Sequence, residues 1–397
     1  MKICIAAESF LYYMGTKDAI FGGAETLLME ISRLLVADGH DVTVIQMGNE
    51  AKEFEYEGIH VKQVKTPVLR YVQKLFVRRW FWAGLVVWPH IDKDADWVHF
   101  HYHYMAFPLV GGLKCRVTGM NHGVDWNVPW VYDKVSLKHI RDRFSFACLK
   151  LVTRFTVSKL DRLITNDYFF THYTTHRRPN LLKKFAYIPN FTYTERFHPD
   201  VAPLAGFRER FPGCKLILLP KMAMRDRGTD IMYECLVRMK RPDVRLIITG
   251  TSSSVPEFVK IAKDMGLENQ VHFAGHVDFK NELPGIYAAA DIVVVPSPCR
   301  EATAIAMLEG MAAGKPMVIA NIGGLTEVAK DRYNCLVRHA TVEGFSGALE
   351  ELLDNPELGR ELGRNAHQFI VKAYNKDFWD ASIREFFDPR YIRQQRG

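Results

Sequence analysis

Short apolar runs alternate along the chain with longer segments whose apolar residues recur at helical spacing. Residues 2–7 form a run typical of a buried strand, and residues 41–46 form another. Between them, residues 24–38 carry leucines and isoleucines at spacings of three and four, which predict a helix that stops at Gly39. A strand, a helix and a second strand in this order indicate a parallel sheet.

The same alternation continues through both halves of the chain. In the first half it predicts four more strands, at residues 97–104, 116–121, 160–165 and 185–188. In the second half it predicts a helix at 229–239 and strands at 215–220, 244–250, 271–274, 292–296 and 316–320. We therefore expect an α/β protein built from two Rossmann-like, doubly wound halves. In such sheets ligands bind beyond the carboxyl ends of the strands.

A stretch rich in proline and charge, residues 190–213, is the expected place of a domain boundary. We predict an N-terminal domain over residues 1–195, a C-terminal domain over 196–375 and a helical segment over 376–397 that packs back on the N-terminal domain. A chain of 397 residues is long enough for two such domains. The carboxyl ends of their strands are expected to face each other across a cleft.

Composition excludes several classes of protein. Hydrophobic residues make up 48% and charged residues 24%, which argues against a disordered, collagen-like or disulfide-dense chain. No apolar run approaches the roughly 18–20 residues that cross a bilayer, and the first residues lack a signal-peptide pattern. The seven cysteines lack a C-x-x-C motif and are typical of reduced thiols. We expect a soluble cytoplasmic protein.

The net charge of +7 is concentrated in one part of the chain. Residues 1–61 carry −6, residues 62–190 carry +13, and residues 191–397 are balanced. The basic part would attract membrane lipid, nucleic acid or a phosphorylated substrate, unless it is a solvated face without a partner. It includes residues 70–91, where basic residues mix with tryptophans, and a second basic, amphipathic stretch at 137–163.

Residues 70–91 have the aromatic and basic mixture of a membrane interface, and equally that of a helix packed on the first domain with a basic outer face. Such a mixture also suits single-stranded nucleic acid, but no nucleic-acid motif accompanies it. We therefore expect no nucleic-acid partner, and a peripheral contact with an anionic membrane surface stays open beside the packed helix.

The strongest chemical signal lies in residues 297–316. A strand ends before it, a loop carries Glu301, and a helix of small and apolar residues with Glu309 in it runs to a stop at Gly314. The N-terminus of a helix suits a diphosphate, and carboxylates on either side could accept hydrogen bonds from sugar hydroxyls. The alternative is an amphipathic helix with two exposed glutamates.

Several further motifs stand in the order found in one enzyme family. They are Gly22-Gly23-Ala24-Glu25, His99-Phe100-His101, His122-Gly123, Ile188-Pro189-Asn190, Tyr287-Ala288-Ala289-Ala290-Asp291, Gly314-Lys315-Pro316, and Gly323-Gly324 with Glu327. Together with the Glu301 and Glu309 pair they cover nearly the whole chain. With them the chain resembles the retaining nucleotide-sugar glycosyltransferases of family 4, which have the GT-B fold.

The resemblance implies roles for residues of the second half. Glu301 would lie by the donor sugar and Glu309 would bind the ribose hydroxyls. The amides of Thr303, Ala304 and Ile305 would face the sugar and the phosphates. Thr303-Ala304 stands where a Phe-Gly pair is common in the family, and a methyl group at Ala304 would narrow the sugar pocket.

A basic pair after the first strand of the second half, Arg and then Lys, normally holds the diphosphate in this family. Here the candidates are Lys221 and Arg227, with the two residue types exchanged, and Arg225 is an alternative to Arg227. Either type can neutralise a leaving diphosphate, although Arg offers a fork and Lys a point charge.

Two features of the first half belong to the same interpretation. Gly22 and Gly23 fit a loop that lets the backbone approach phosphate or acceptor closely. His122 follows a predicted strand, and its counterpart in the family contacts the donor sugar from the first domain.

Two patterns suggest metal binding at first sight. His99, His101 and His103 alternate on a predicted strand, so they could share a metal or, as we favour, form hydrogen bonds in the core or cleft. Residues 92–96 contain a D-x-D spacing, but they lie at the amino end of a predicted strand. We interpret them as a solvated turn.

The resemblance implies transfer of a hexose-type sugar from a UDP- or GDP-linked donor to an acceptor hydroxyl of a glycan, glycolipid or small molecule. It also implies retention at the anomeric carbon, a reaction without a cofactor or a metal, and a role in cell-envelope synthesis. Two alternatives stay open, a nucleotide-sugar epimerase of the same architecture and a non-catalytic relative that binds nucleotide sugars. A dehydrogenase is disfavoured because no G-x-G-x-x-G follows the first strand.

Overall fold

The computed structural model describes residues 1–11, 22–66, 79–123, 137–299 and 301–390. The described residues group into two compact units. Unit 1 contains the described residues of the ranges 1–123, 137–188 and 380–390, and unit 2 contains those of the range 189–379. The division falls between Ile188 and Pro189, so the proline-rich stretch 190–213 lies within unit 2. The roles assigned to the predicted domains remain predictions.

Unit 1 is built on an eight-stranded sheet. Its strands are β1 (Lys2–Ala6), β2 (Asp41–Gly48), β3 (Lys52–Tyr56), β4 (Ile59–Lys65), β5 (Trp97–Phe100), β6 (Arg116–Asn121), β7 (Arg162–Thr165) and β8 (Phe185–Tyr187). Their order is β3-β4-β2-β1-β5-β6-β7-β8, and among these described strands only the β3–β4 hairpin is antiparallel. The described helices are α1 (Gly23–Ala37), α2 (Arg79–Val87), α3 (Leu137–Lys159) and α4 (Tyr168–Thr175).

The predicted strand at residues 97–104 is wrong beyond Phe100. Phe100 pairs with Ala6, the last residue of β1, and after it the chain leaves the sheet. Residues His103–Ala106 then form a short 3₁₀ turn. The alternation of histidine with aromatic residues imitates a strand, but the neighbouring strand β1 ends too early to pair with it.

Unit 2 is built on a six-stranded parallel sheet. Its strands are β9 (Lys215–Leu219), β10 (Val244–Thr249), β11 (Val271–Gly275), β12 (Ile292–Val295), β13 (Met317–Ala320) and β14 (Leu336–Arg338), in the order β11-β10-β9-β12-β13-β14. The helices are α5 (Thr229–Met239), α6 (Val255–Asp264), α7 (Leu283–Ala289), α8 (Ile305–Ala312), α9 (Leu325–Val328), α10 (Val342–Asp354), α11 (Pro356–Ala373) and, across the division at 379/380, α12 (Lys376–Phe387). The prediction of two doubly wound α/β halves is confirmed.

Each sheet has one point where the strand order reverses. In unit 1 it lies between β1 and β5, and in unit 2 between β9 and β12. Crevices beyond the carboxyl ends of strands at such switch points are the usual ligand sites of open α/β sheets. The two pairs of strands therefore mark where functional residues are to be sought.

The last described part of the chain packs on unit 1. The Arg384 guanidinium lies 2.8 Å from the Asp38 carboxylate at the end of α1, and the Phe387 ring lies 5.1 Å from the Trp97 ring. Among the described residues, no helix is both long and apolar enough to cross a membrane.

Candidate functional site

Three side chains converge on Glu301 at the switch point of unit 2. Lys221 follows β9 and places its Nζ against both oxygens of the Glu301 carboxylate. Arg227 Nη1 donates to Oε1 at 2.7 Å, and the Ser297 hydroxyl, just past β12, donates to the same oxygen at 2.5 Å. The loops after two neighbouring strands thus supply two cations and a hydroxyl to one buried carboxylate.

Two glycines with left-handed backbone hold these loops in place. Gly228, at φ 75°, ends the turn that carries Arg227, and a Cβ there would stand 2.3 Å from the Pro296 carbonyl oxygen. Gly323 has a φ of 54°, and a Cβ there would stand 2.4 Å from the Glu301 carbonyl oxygen. The same oxygen accepts the Gly324 N–H at 2.7 Å. Only glycine fits both the positive φ and the close approach without strain.

Opposite charges keep the Glu301 carboxylate ionised although it is buried. Burial by itself raises the pKa of Glu301, but the charges of Lys221 and Arg227 outweigh it and hold the pKa at about 2. Burial lowers the pKa of Lys221, and Glu301 offsets part of that effect. Lys221 and Arg227 are the cations at this switch point, and the charges of both Glu301 and Asp226 act on them.

The structure distinguishes Arg227 from its alternative. Arg225 is exposed and pairs with Glu257 on α6 at 3.2 Å. Arg227 lies at Glu301, two residues further along a 3₁₀ turn. The basic pair at the switch point is therefore Lys221 with Arg227.

Glu309 occupies a different environment on α8. It is only 4% exposed, and Tyr287 of α7 donates its hydroxyl hydrogen to Glu309 Oε2 at 2.7 Å. Burial raises the pKa of Glu309 to about 7, while the Tyr287 hydrogen bond and the charge of Lys221 oppose the rise. Since the Glu301 side chain is also only 9% exposed, the alternative of an amphipathic helix with two exposed glutamates is wrong.

The start of α8 presents backbone amides beside these carboxylates. The first N–H groups of any helix have no partner within the helix, and the residue before α8, Ala304, has no side-chain acceptor to cap them. Asn190 donates to the Thr303 carbonyl oxygen at 2.5 Å and ties this turn to the start of unit 2. The methyl group of Ala304 packs in the hydrophobic core of the unit, and Ile305 is the first helical residue.

Unit 1 carries the other predicted residues at its own switch point. Gly22 precedes α1 and Gly23 is its first residue, while the Ser9 hydroxyl beyond β1 donates to Glu25 at 2.5 Å. His122 follows β6 and donates through Nε2 to the His101 carbonyl oxygen at 3.0 Å. Burial lowers the pKa of His122 to about 4, so its imidazole is neutral near pH 7.

The alternating histidines have hydrogen-bond partners. His99 lies 2.9 Å from the Thr118 hydroxyl, and His103 lies 3.0 Å from the Thr153 hydroxyl. His101 donates to the Ala24 carbonyl oxygen at 2.9 Å. No group of three metal-binding side chains occurs within the described ranges. The D-x-D segment is an exposed turn in which Asp96 accepts the Lys2 N–H.

Sequence reasoning assigned no role to three residues that the structure places at the site: Ser297, Tyr287 and Asn190. Ser297 could have been found, because it directly follows a predicted strand end. Tyr287 and Asn190 stood in family motifs, but only the fold shows what they contact. Most of the predicted membrane segment 70–91 lies outside the described residues or has side chains that are not described.

Two family models match this chain. Residues 212–369 match "Glycosyl transferases group 1", and residues 21–196 match "Glycosyltransferase Family 4". A D-inositol 3-phosphate glycosyltransferase of Corynebacterium aurimucosum is 30% identical over 408 residues, with 90% of each chain covered. A GDP-mannose-dependent α-(1-6)-phosphatidylinositol monomannoside mannosyltransferase of Mycobacterium tuberculosis is 28% identical over 212 residues, which span 50% of this chain and only about half, 54%, of the relative.

Solved structures share the fold along the whole chain. A sucrose-phosphate synthase from Thermosynechococcus elongatus superposes with a TM-score of 0.75 at 19% identity, over 99% of this chain and 98% of its own. HepE of Anabaena, in complex with UDP and glucose, superposes with a TM-score of 0.73 at 16% identity, over 97% and 99%. The shared fold, the two family models and the 30% identical relative place the chain among the glycosyltransferases of the GT-B class. The chain belongs to the group 1, family 4 glycosyltransferases.

Proposed function

We propose that this glycosyltransferase moves a hexose-type sugar from a UDP- or GDP-linked donor to an acceptor hydroxyl, with retention at the anomeric carbon and without a metal. The observation that carries the proposal is the convergence of Lys221 and Arg227 on Glu301 at the β9/β12 switch point, beside the start of α8. Negative charge grows on the leaving diphosphate, and fixed cations and amides there stabilise it without reorganisation.

The nucleotide would bind through the ribose. Glu309 would accept hydrogen bonds from its hydroxyls, while Lys221, Arg227 and the amides of residues 303–305 would hold the diphosphate. The names of the mycobacterial relative and of the Anabaena complex, with GDP-mannose and with UDP and glucose, support a hexose nucleotide. His122 of unit 1 would contact the sugar as a neutral hydrogen-bonding group.

The environment of Glu301 argues against a covalent glycosyl-enzyme. Lys221, Arg227 and Ser297 all bind its carboxylate, and a pKa of about 2 makes it a weak nucleophile. Glu301 would instead orient the sugar, and the donor phosphate would help to take the acceptor proton on the same face. Retention follows from attack on the face that the diphosphate leaves.

The acceptor would be a glycan, a glycolipid or a small molecule of the cell envelope. A lipid acceptor agrees with an exposed apolar stripe on α3, where Phe144, Leu151 and Phe155 are 67%, 65% and 38% exposed at spacings of seven and four. Lys150, Arg154 and Lys159 lie on the same helix. Apolar residues with basic neighbours on one helix are typical of binding in the interface of an anionic membrane. We therefore include peripheral binding to the inner face of the membrane in the proposal.

Transfer is tested with UDP-glucose and GDP-mannose, each with a panel of inositol, sugar and glycolipid acceptors, and with proton NMR to read the anomeric configuration. A retained α-linkage from an α-linked donor supports the proposal, and an inverted one contradicts it. Epimerised nucleotide sugar without acceptor would favour the epimerase. Tight nucleotide binding without transfer or hydrolysis would favour the non-catalytic alternative.

Membrane binding is tested by sedimentation with phosphatidylglycerol vesicles at low salt. The double variant Phe144→Ser/Leu151→Ser should lose binding, whereas Val259→Ser, an exposed apolar position on α6 of unit 2, should keep it. Equal binding by all three proteins would contradict the role of α3 without affecting the donor site.

A further inference from the structure

Each glutamate of the pair is held by one buried hydroxyl from a neighbouring segment. Ser297 donates to Glu301 Oε1, and Tyr287 donates to Glu309 Oε2. Both hydroxyl residues have no exposed surface. The two contacts look equivalent, but the carboxylates that they serve have different surroundings.

Lys221 and Arg227 contact Glu301, whereas no cation of the described residues contacts Glu309. Within the described part of the chain, the Tyr287 hydroxyl is the side-chain hydrogen-bond donor to the Glu309 carboxylate, and it engages Oε2. The other group acting on Glu309 is Lys221 after β9, through its charge at longer range. Oε1 of Glu309 therefore stays available to a ligand.

We propose that Tyr287 is a positioning residue that orients the Glu309 carboxylate through Oε2 and favours its ionised form, so that Oε1 can accept a hydrogen bond from the nucleotide ribose. This inference rests on the proposed role of Glu309. A hydrogen bond to an ionised carboxylate stabilises that form and disfavours protonation. Without the phenol, a larger fraction of the buried carboxylate would be protonated at neutral pH, and Glu309 would become a poorer acceptor.

The variant Tyr287→Phe removes the hydroxyl and keeps the buried ring. We expect its affinity for UDP and GDP, measured by calorimetry from pH 6 to 9, to fall roughly tenfold at pH 7 and by less than about twofold at pH 9. The matched control is Ser297→Ala, whose loss should be the same at every pH, because two cations keep Glu301 ionised. A loss in Tyr287→Phe that is independent of pH would overturn the inference.

A nucleotide without ribose hydroxyls separates positioning from a general structural role. 2′,3′-Dideoxyuridine diphosphate should bind equally to the wild type and to Tyr287→Phe, and a loss as large as that for UDP would overturn the inference. If Tyr287→Phe does not fold, the wild type tests the premise that ionised Glu309 binds the ribose: its affinity for UDP, but not for the dideoxy nucleotide, should fall as the pH drops through 7, and an unchanged affinity would overturn the inference.

Glu309→Gln distinguishes this inference from the proposed function. If Glu309→Gln binds UDP as tightly as the wild type at pH 8, the ribose role of Glu309 is wrong, and the inference falls with it. If Glu309→Gln binds weakly while Tyr287→Phe matches the wild type at every pH, only the role of Tyr287 is wrong.

Discussion

Gly323 lies against the backbone of Glu301 so closely that a Cβ on Gly323 would stand 2.4 Å from the Glu301 carbonyl oxygen. The amide of the following residue, Gly324, donates to that same oxygen. The position of the Glu301 carboxylate therefore depends on a backbone contact from the loop after β13, outside the segment that carries the two glutamates.

Replacing Gly323 should disturb the site as well as the fold. In Gly323→Ala, the positive φ and the clash with backbone should cost roughly 1–3 kcal/mol of unfolding free energy and weaken UDP binding. The matched control is Gly347→Ala in α10, where a Cβ meets nothing within 4 Å and helix propensity should add about 0.5–1 kcal/mol. Urea denaturation and UDP calorimetry measure both. Wild-type stability in Gly323→Ala would contradict the strained contact.

Removing the cations at Glu301 should slow transfer. Lys221→Ala and Arg227→Ala each leave less positive charge for the leaving diphosphate, so the turnover number for sugar transfer should fall at least about tenfold. Arg225→Ala, which removes an exposed ion pair with Glu257, should stay within about twofold of the wild type. A defect in Arg225→Ala as large as that in Arg227→Ala would contradict the placement of Arg227.

Glu309 should make the stability of the protein depend on pH. The pKa of Glu309 is about 7 in the folded chain, whereas the ordinary pKa of a glutamate, expected in the unfolded chain, is 4.5. The protein therefore loses stability as the pH rises from 4.5 through 7. Glu309→Gln lacks this loss. It should equal the wild type near pH 4 and exceed it by roughly 3 kcal/mol at pH 8, as measured by urea denaturation.

Glu301→Gln should change the stability of the protein in the opposite direction. Glu301 has a lowered pKa, and the stability that it contributes is present above pH 4.5 and disappears as the pH falls towards 2. Glu301→Gln should therefore be less stable than the wild type at pH 7. If Glu309→Gln is also destabilised at pH 8, the assignment of opposite environments to the two glutamates is wrong.

His122 should remain neutral across the physiological range. Because burial lowers its pKa to about 4, its ring signals in proton–nitrogen NMR should not change between pH 5.5 and 8. Comparison with His122→Asn assigns those signals. A titration of His122 centred near 6.5 would show that the ring is open to solvent.

Local pattern was sufficient for most elements of the fold. The predicted helix at 229–239 and the predicted strand at 116–121 agree with α5 and β6 in every residue. Both were predicted from the spacing of apolar residues that lie close together in the chain, and this spacing can be read directly from the sequence. The same reasoning located the loop and helix that carry Glu301 and Glu309. It failed at residues 101–104, where the end of a strand depends on how far its partner in the sheet extends, and it did not predict the strands β3, β4 and β14.

The amino-acid sequence alone determined the α/β class, most of the strands and helices, and the types of residue at the candidate donor site. Only the tertiary structure decided that Arg227 rather than Arg225 reaches Glu301, and that two glutamates eight positions apart have opposite charge behaviour. Glu301 and its partner Lys221 are 80 residues apart in the chain. A carboxylate's pKa depends on burial and on charges within a few ångströms, and no short-range pattern specifies which distant side chains the fold brings to it.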